Sequence, residues 1–386
     1  MLPSQKGRFS LPDGLHYLNA AYMSPLLKSV EAAGVEGVRL KRVPTDFGPA
    51  DFFTSADRVR QLFAQLVGGQ PKHVALVPAV SYAMATVAKN LDVERGQTIV
   101  VVAEQFPSHV YPWRRLADDA GATIRTVEPP APLGTPGRGA DWNARLLDAI
   151  DADAALVAVP NVHWADGTVF DLEAVGEQCR AVGAAFVVDG TQSVGALPFS
   201  VERARPDALA AAGYKWLLGP YGMGALWLGE RFREGRPLEE NWIGRAGSDE
   251  FAGLTSYEDA YAPGAVRFDV GERSNPILLP MLAAGIEQVL EWTPEAVQAT
   301  CAGLAERVVD GARALGYAAA EADERAGHLF GLRPPESVRL DALAEALGAR
   351  NVSVSIRGGS VRVSPHVYNT EADADALLAA LGAARS

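Results

Sequence analysis

Lys215 is nearly alone as an amine in this chain, which has 6 lysines against 29 arginines and no other lysine after Lys89. It lies in Ala212-Gly213-Tyr214-Lys215-Trp216-Leu217-Leu218-Gly219-Pro220, an apolar, glycine-rich setting. Hydrophobic surroundings disfavour an ammonium, so its pKa falls and the free amine becomes available as a nucleophile. A lysine snorkelling out of a strand end is the alternative. An aspartate 26 residues upstream favours the first reading. Asp189 closes Ala184-Ala185-Phe186-Val187-Val188-Asp189-Gly190, where five apolar residues read as a buried strand ending in an acid. Open parallel sheets bind ligands at such ends, although an Asp there also caps turns. An acid at a strand end followed by a lysine in an apolar loop is what pyridoxal phosphate chemistry requires. The amine holds the aldehyde as an imine, and the carboxylate keeps the pyridine nitrogen protonated.

The elements that must position this pair alternate along the first two thirds of the chain. Candidate strands are Val74–Val77, Thr98–Ala103, Thr123–Val127, Ala155–Val159, Ala185–Val188 and Ala225–Leu228. Helical patterns at Arg58–Val67, Ser81–Asn90 and Leu172–Val182 lie between them. That alternation predicts an α/β fold with a mostly parallel, layered sheet. From about Pro280 longer helices (Met281–Trp292, Ala296–Leu315, Leu340–Leu347) bracket short strands near Gly331–Arg333, Val352–Ile356 and Ser360–Val363. The expected division is a large domain over 15–275 and a smaller α+β domain over 276–386, on which residues 1–14 could pack. Glu128 to Gly139, rich in Pro and Gly, reads as the clearest exposed loop.

Composition narrows the functional classes. A length of 386 residues allows a large core, and 48% hydrophobic with 21% charged residues is ordinary globular usage. A net charge of −12 argues against nucleic acid, whose binding needs clustered Lys and Arg. No run has the length of a membrane span, and Met1 to Arg8 is not followed by an apolar signal region. The two cysteines, Cys179 and Cys301, imply no disulfide framework and make a reducing cytoplasm the expected location. The six histidines show no metal-ligand spacing, so no metal is expected.

Val188-Asp189-Gly190-Thr191-Gln192-Ser193-Val194-Gly195, together with Gly213-Tyr214-Lys215-Trp216, resembles the class V aminotransferase family of fold-type I enzymes that depend on pyridoxal 5'-phosphate. The likeness starts at His16-Tyr17-Leu18-Asn19-Ala20-Ala21 and ends at Val361-Arg362-Val363-Ser364-Pro365-His366-Val367-Tyr368-Asn369-Thr370. The family includes cysteine desulfurases, selenocysteine lyases, kynureninases and isopenicillin N epimerase-like proteins. It implies that Lys215 forms the internal aldimine and serves as the base, with Asp189 on the ring nitrogen.

Val77-Pro78-Ala79-Val80-Ser81 joins a strand to a helix with Ser81 as a good N-cap. The helix start and its unpaired amides favour an anion, so Ala79, Val80 and Ser81 are expected at the cofactor phosphate; a plain capped helix is the alternative. By resemblance Phe106 stacks on the ring and Gln192 bonds the phenolic oxygen. His163 lies near that oxygen as a proton relay or a merely hydrogen-bonded histidine, and Tyr214 reaches the phosphate. Trp242, Ser274 and Asn275 resemble segments that reach a neighbouring subunit's cofactor, which implies a homodimer. Arg362, with Asn19, is expected at the substrate carboxylate, where a guanidinium forms a bidentate pair.

Desulfurases carry a reactive cysteine ahead of the anchoring arginine, but Ser355-Ile356-Arg357-Gly358-Gly359-Ser360-Val361-Arg362 has none. Cys179 falls on the apolar stripe Leu172, Val175, Cys179, Val182 and reads as inert core. The glycines after Pro220 follow the lysine and do not open a helix after a first strand, so no dinucleotide fingerprint is present. The expected function is an aminotransferase-like enzyme acting on a small amino acid. A Cβ–S lyase, an epimerase or a kynureninase-like enzyme follows, with a non-catalytic binding protein of the same fold as the alternative from another class.

Overall fold

A computed structural model describes residues 1–385. In chain order the elements begin with β1 (His16–Tyr17), α1 (Lys28–Leu40), α2 (Asp51–Val67), β2 (Val74–Val77), α3 (Val80–Lys89), β3 (Thr98–Val102), α4 (Tyr111–Ala120) and β4 (Thr123–Val127). They continue with α5 (Arg138–Asp148), β5 (Ala154–Pro160), α6 (Leu172–Val182), β6 (Ala185–Asp189), α7 (Val201–Ala204), β7 (Ala208–Ala212) and β8 (Gly224–Leu228). The last third holds α8 (Leu278–Trp292), α9 (Pro294–Ala314), β9 (Phe330–Leu332), α10 (Leu340–Gly348), β10 (Val352–Ser353), β11 (Ser355–Arg357), β12 (Ser360–Val363) and α11 (Glu371–Ala383).

Seven strands form one sheet in the order β2-β8-β7-β6-β5-β3-β4, antiparallel only where β8 meets β2 and β7. All of its strands but the edge strand β4 are buried on both faces, because alternate residues enter two separate cores. Val100, Val157, Phe186 and Leu209 face the cluster built with α2, α6 and α8. Val101, Ala158, Val187 and Ala210 face the cluster built with α3 and α4. This is the two-sided burial that makes parallel strands read as continuous apolar runs. The predicted strands lie within a residue of those observed, but β7 is an addition. Its Ala208-Leu209-Ala210-Ala211-Ala212 has no β-branched residue, and its pairing with β6 and β8 makes it a strand.

The smaller layer holds β11-β12-β9, antiparallel, and a parallel pair between β1 and β10. The expected strand Val352–Ile356 is thus divided between two sheets at Val354. α9, α10 and α11 cover these strands through Val308, Leu343, Leu347 and Leu377. The start of the chain meets the segment after β12, where Gln5 N–H donates to the Val367 carbonyl at 2.9 Å and Phe9 meets Tyr368 edge-on at 4.9 Å, but both rings belong to the large core. α8 places Leu282, Ile286 and Val289 in the large core, against α1 and α2. The loop expected over Glu128 to Gly139 closes earlier, because Arg138 and Gly139 open α5 and are buried. No helix among the described residues is long and apolar enough to cross a membrane.

Candidate active site

The carboxyl ends of β2, β5, β6 and β7 open on one side of the sheet, where the loops that follow them enclose a cavity of about 210 Å³. β7 leads into Lys215 and β6 ends at Asp189, and both side chains line that cavity. Their strands are adjacent, with Asp189 opposite Ala210. Sheet register therefore brings two residues distant in sequence to one wall.

Lys215 is 5% exposed. Its Nζ meets no hydrogen-bond acceptor among the described residues and sits 5.5 Å from the Tyr214 ring centre and 5.6 Å from that of Phe106. Burial lowers its pKa, Asp189 opposes that, and Arg362 and Arg357 lower it further, leaving it at about 8 against an ordinary 10.5. The loop is tightly held. Leu218 N–H donates to the Lys215 carbonyl at 3.1 Å, and Gly219 N–H donates to that of Gly213 at 2.8 Å. Gly285 of α8 lies so close that a Cβ there would stand 2.4 Å from the Leu217 carbonyl oxygen. Asp189 is buried; its Oδ1 accepts from Thr191 N–H at 2.9 Å, and Oδ2 takes no protein donor among the described residues.

At the α3 end the N-cap differs from expectation. Ala79, with φ −161° and ψ 157°, is the capping residue, and Ser81 lies in the first turn with an exposed side chain that caps nothing. The helix is capped two residues earlier than the hydroxyl suggested, because the extended backbone already ends at Ala79. The Val80 and Ser81 amides, at the positive end of the helix, have no acceptor among the described residues, and Ala79, Val80 and Ser81 all line the cavity.

Phe106 is 38% exposed and stands edge-on to Trp164, with centres 5.4 Å apart. Tyr214 lines the same space, its hydroxyl pKa raised by burial and then by Tyr221. Gln192 is oriented by its neighbours. Its Oε1 accepts from the Trp216 indole at 3.0 Å, and its Nε2 donates to the Ala21 carbonyl at 3.2 Å. One amide hydrogen remains for the cavity.

His163 is not among the cavity residues. Pro160, Val162 and Trp164 line the cavity, so the alternation that continues past β5 turns His163 the other way. Its Nδ1 is 3.1 Å from Asp166 Oδ1 and its Nε2 is 3.2 Å from the Ala103 carbonyl, with the Trp142 ring 5.2 Å away. Burial pushes the Asp166 carboxyl up, but His163 and Arg138 outweigh it and hold it well below the usual range. The expectation that His163 relays protons at the cofactor is corrected: both its nitrogens are committed inside the core.

Arg362 is 1% exposed and stands behind Trp164, donating through Nη1 to the Trp164 carbonyl at 3.0 Å and through Nη2 to Ser355 Oγ at 3.3 Å. Its Nε is buried without a partner among the described residues. Burial and then Arg357 push its pKa down to about 10, with Tyr17 opposing. Asn19 reaches this cluster, its Oδ1 accepting from Ser355 Oγ at 2.8 Å. Trp242, Ser274 and Asn275 lie elsewhere, lining a separate cavity with Phe47 and Phe52. Asn275 Oδ1 accepts from Leu278 N–H at 2.9 Å at the start of α8.

Cavity residues missed by sequence reasoning include Gln105, Trp164, Thr191 and Tyr221. Period-two counting from Pro160 would have chosen Trp164 over His163. The others carry no comparable signal. Cys179 is buried with its thiol pushed up to about 12, and Cys301 is buried with its thiol raised further, so neither presents a thiolate.

The sequence profile described as "Aminotransferase class-V" matches residues 49–327, and the chain belongs to that family, whose enzymes depend on pyridoxal phosphate. The uncharacterised aminotransferase YcbU of Bacillus subtilis is 28% identical over 323 residues, 81% of this chain and 79% of that protein. Isopenicillin N epimerase of Streptomyces clavuligerus is 28% identical over 394 residues, 98% of this chain and 97% of that protein. Among solved structures, a C-DES mutant with glycine covalently linked to its PLP cofactor aligns with a TM-score of 0.87 at 21% identity, over 98% of this chain and 99% of that one. The fold is therefore that of fold-type I enzymes. The lining also fits a flat anionic aldehyde: an uncommitted buried amine, a carboxylate with one free oxygen, and free helix-end amides surround one space.

Proposed function

We propose that the chain is an aminotransferase acting on a small amino acid. The observation that carries this reading is that Lys215 and Asp189 line one cavity, with the amine desolvated and its pKa lowered to about 8. Bound there, pyridoxal phosphate supplies an aldehyde and an electron-withdrawing ring. The chain's own residues do the rest. Asp189 Oδ2 would hold the ring nitrogen in its protonated form, Phe106 would pack against the ring, and Gln192 Nε2 would donate to the phenolic oxygen. Ala79, Val80, Ser81 and Tyr214 hold the phosphate. Arg362 fixes the substrate carboxylate, with Asn19 ordering Ser355 beside it. Lys215 Nζ takes the α-proton and can return it, since a base near pH 8 is matched to that task. Trp242, Ser274 and Asn275 belong to a partner subunit's site in a homodimer.

Epimerisation is the second reading, favoured by identity to isopenicillin N epimerase along nearly the whole chain. Buried, high-pKa cysteines disfavour a persulfide-forming desulfurase. Borohydride reduction of the enzyme isolated with cofactor, followed by peptide mapping, tests the site: the pyridoxyl group is expected on the Lys215 peptide, and its absence there sinks the assignment. The reaction is then read from products. Transamination gives about one equivalent of oxo acid per subunit without an acceptor and turnover with one. Continuous pyruvate release without an acceptor indicates a lyase, and inversion without oxo acid indicates an epimerase.

A further inference from the structure

Arg357 and Arg362 lie on one face of the β11-β12 hairpin. Ser355 pairs with Arg362 and Arg357 with Ser360, which makes the two arginines diagonal neighbours. Both guanidiniums stand over the ring of Trp164, at 5.6 Å for Arg357 and 5.8 Å for Arg362. Trp164 lines the Lys215 cavity.

Neither arginine has a carboxylate partner among the described residues. Arg362 spends its donors on a carbonyl and a hydroxyl and leaves Nε buried and unpaired. Arg357 donates to the carbonyl of its own neighbour Ile356 at 2.9 Å. Acids outnumber bases in this chain, 47 to 35, so unpaired arginines are not forced by composition. Two like charges side by side repel, and each also depresses the basicity of Lys215. Among the described residues no carboxylate pairs with either guanidinium to offset that cost; the Trp164 ring does so only in part. A ligand with two anionic groups would offset it.

We propose that the Lys215 site selects amino acids bearing a second anionic group, with buried Arg362 on the α-carboxylate and the more exposed Arg357 on the side-chain acid. The reading rests on the proposed function, because it takes the cavity as the amino-acid site. The forked guanidinium suits a carboxylate at each end, and each guanidinium also stands over the Trp164 ring. Arg357 is thus a specificity-determining residue in the hairpin where desulfurase-like relatives would carry a reactive cysteine.

The test uses the enzyme with its cofactor bound. Calorimetric titration with succinate, glutarate and butyrate measures binding without turnover, and kcat/KM is compared for L-aspartate, L-glutamate and L-alanine. One of the dicarboxylates should bind at least about tenfold tighter than butyrate, as expected for one added charged pair. In Arg357→Met the ratio of dicarboxylate to monocarboxylate affinity should fall by about the same factor, with Arg357→Lys between. Equal binding of succinate, glutarate and butyrate by the unaltered enzyme overturns the proposal without any variant. A ratio unchanged in Arg357→Met, or equal losses for L-alanine and the dicarboxylic substrates, overturns it too. Either result alongside a pyridoxyl group on Lys215 leaves the proposed function standing. A missing pyridoxyl group sinks that function, whatever the dicarboxylates do.

Discussion

The free-amine fraction of Lys215 offers the most direct check on the site. With a pKa of about 8, roughly a quarter of the cofactor-free chain carries a neutral amine at pH 7.5, against about one part in a thousand at the ordinary 10.5. Competitive labelling with trace acetic anhydride, using a simple alkylamine as internal reference, gives the midpoint from the pH dependence of acetyl incorporation into the Lys215 peptide. We expect that midpoint near 8. Asp189→Asn should move it lower, because the carboxylate opposes the depression, and Arg362→Gln should move it higher. The same numbers set a stability sign. The folded pKa lies below the unfolded one, so at pH below 8 the lysine is charged in both states and folding carries a cost. A fall from 10.5 to about 8 corresponds to on the order of 3 kcal/mol, relieved as pH rises from 8 to 10.5. Lys215→Met should stabilise the cofactor-free chain by about that amount at pH 7 and confer little above pH 10.5. A wild-type midpoint at 10.5, or no gain from methionine at pH 7, would refute the reasoning.

Three further outcomes follow from the packing. Gly285→Ala pushes a methyl into the Leu217 carbonyl, and should cost about 1–3 kcal/mol in urea unfolding while shifting the Lys215 labelling midpoint. Asp269 sits fully buried between Arg60 and Arg273, at 2.5 Å from the latter, so Asp269→Asn strands two guanidiniums. A loss of about 3–5 kcal/mol is expected, and recovery of most of it when all three residues become apolar separates the charge effect from packing. His163→Asn should cost about 1–3 kcal/mol with the labelling midpoint of Lys215 unmoved; a displaced midpoint would put His163 back in the site.

Strands such as Thr98-Ile99-Val100-Val101-Val102 were legible because β-branched residues buried on both faces have few other readings. β7 was not, since five small residues fit strand, helix or turn equally and only the flanking strands decide. α1 was hidden by Gly34 and Gly37, which look like helix breakers. Their missing side chains make room instead: a Cβ on Gly37 would stand 2.2 Å from the Pro276 carbonyl oxygen, and one on Gly34 2.7 Å from Met281 Sδ. Lys215 and Asp189 were readable as chemistry because a cation in an apolar run and an acid ending one are each costly without a purpose. His163 was misplaced because a motif gives position along the chain, whereas the alternation after β5 decides the facing.

The small residues that concealed β7 and the close packing around Lys215 belong to one physical cause. A loop pressed between β7 and α8 at Gly285, with Gly213 and Gly219 closing the turn by a 2.8 Å hydrogen bond, leaves the amine little room to reach water. A bulkier strand or a looser loop would hydrate the ammonium and return its pKa toward 10.5. Lys215 also feels Arg357 and Arg362, opposed by the carboxylate of Asp189, inside a chain whose net charge is −12. Of these three cations only the amine readily sheds its proton. Anions arriving at the guanidiniums would weaken their hold on Lys215 and make it a stronger base, so ligand charge and amine basicity are linked through the same few ångströms of protein.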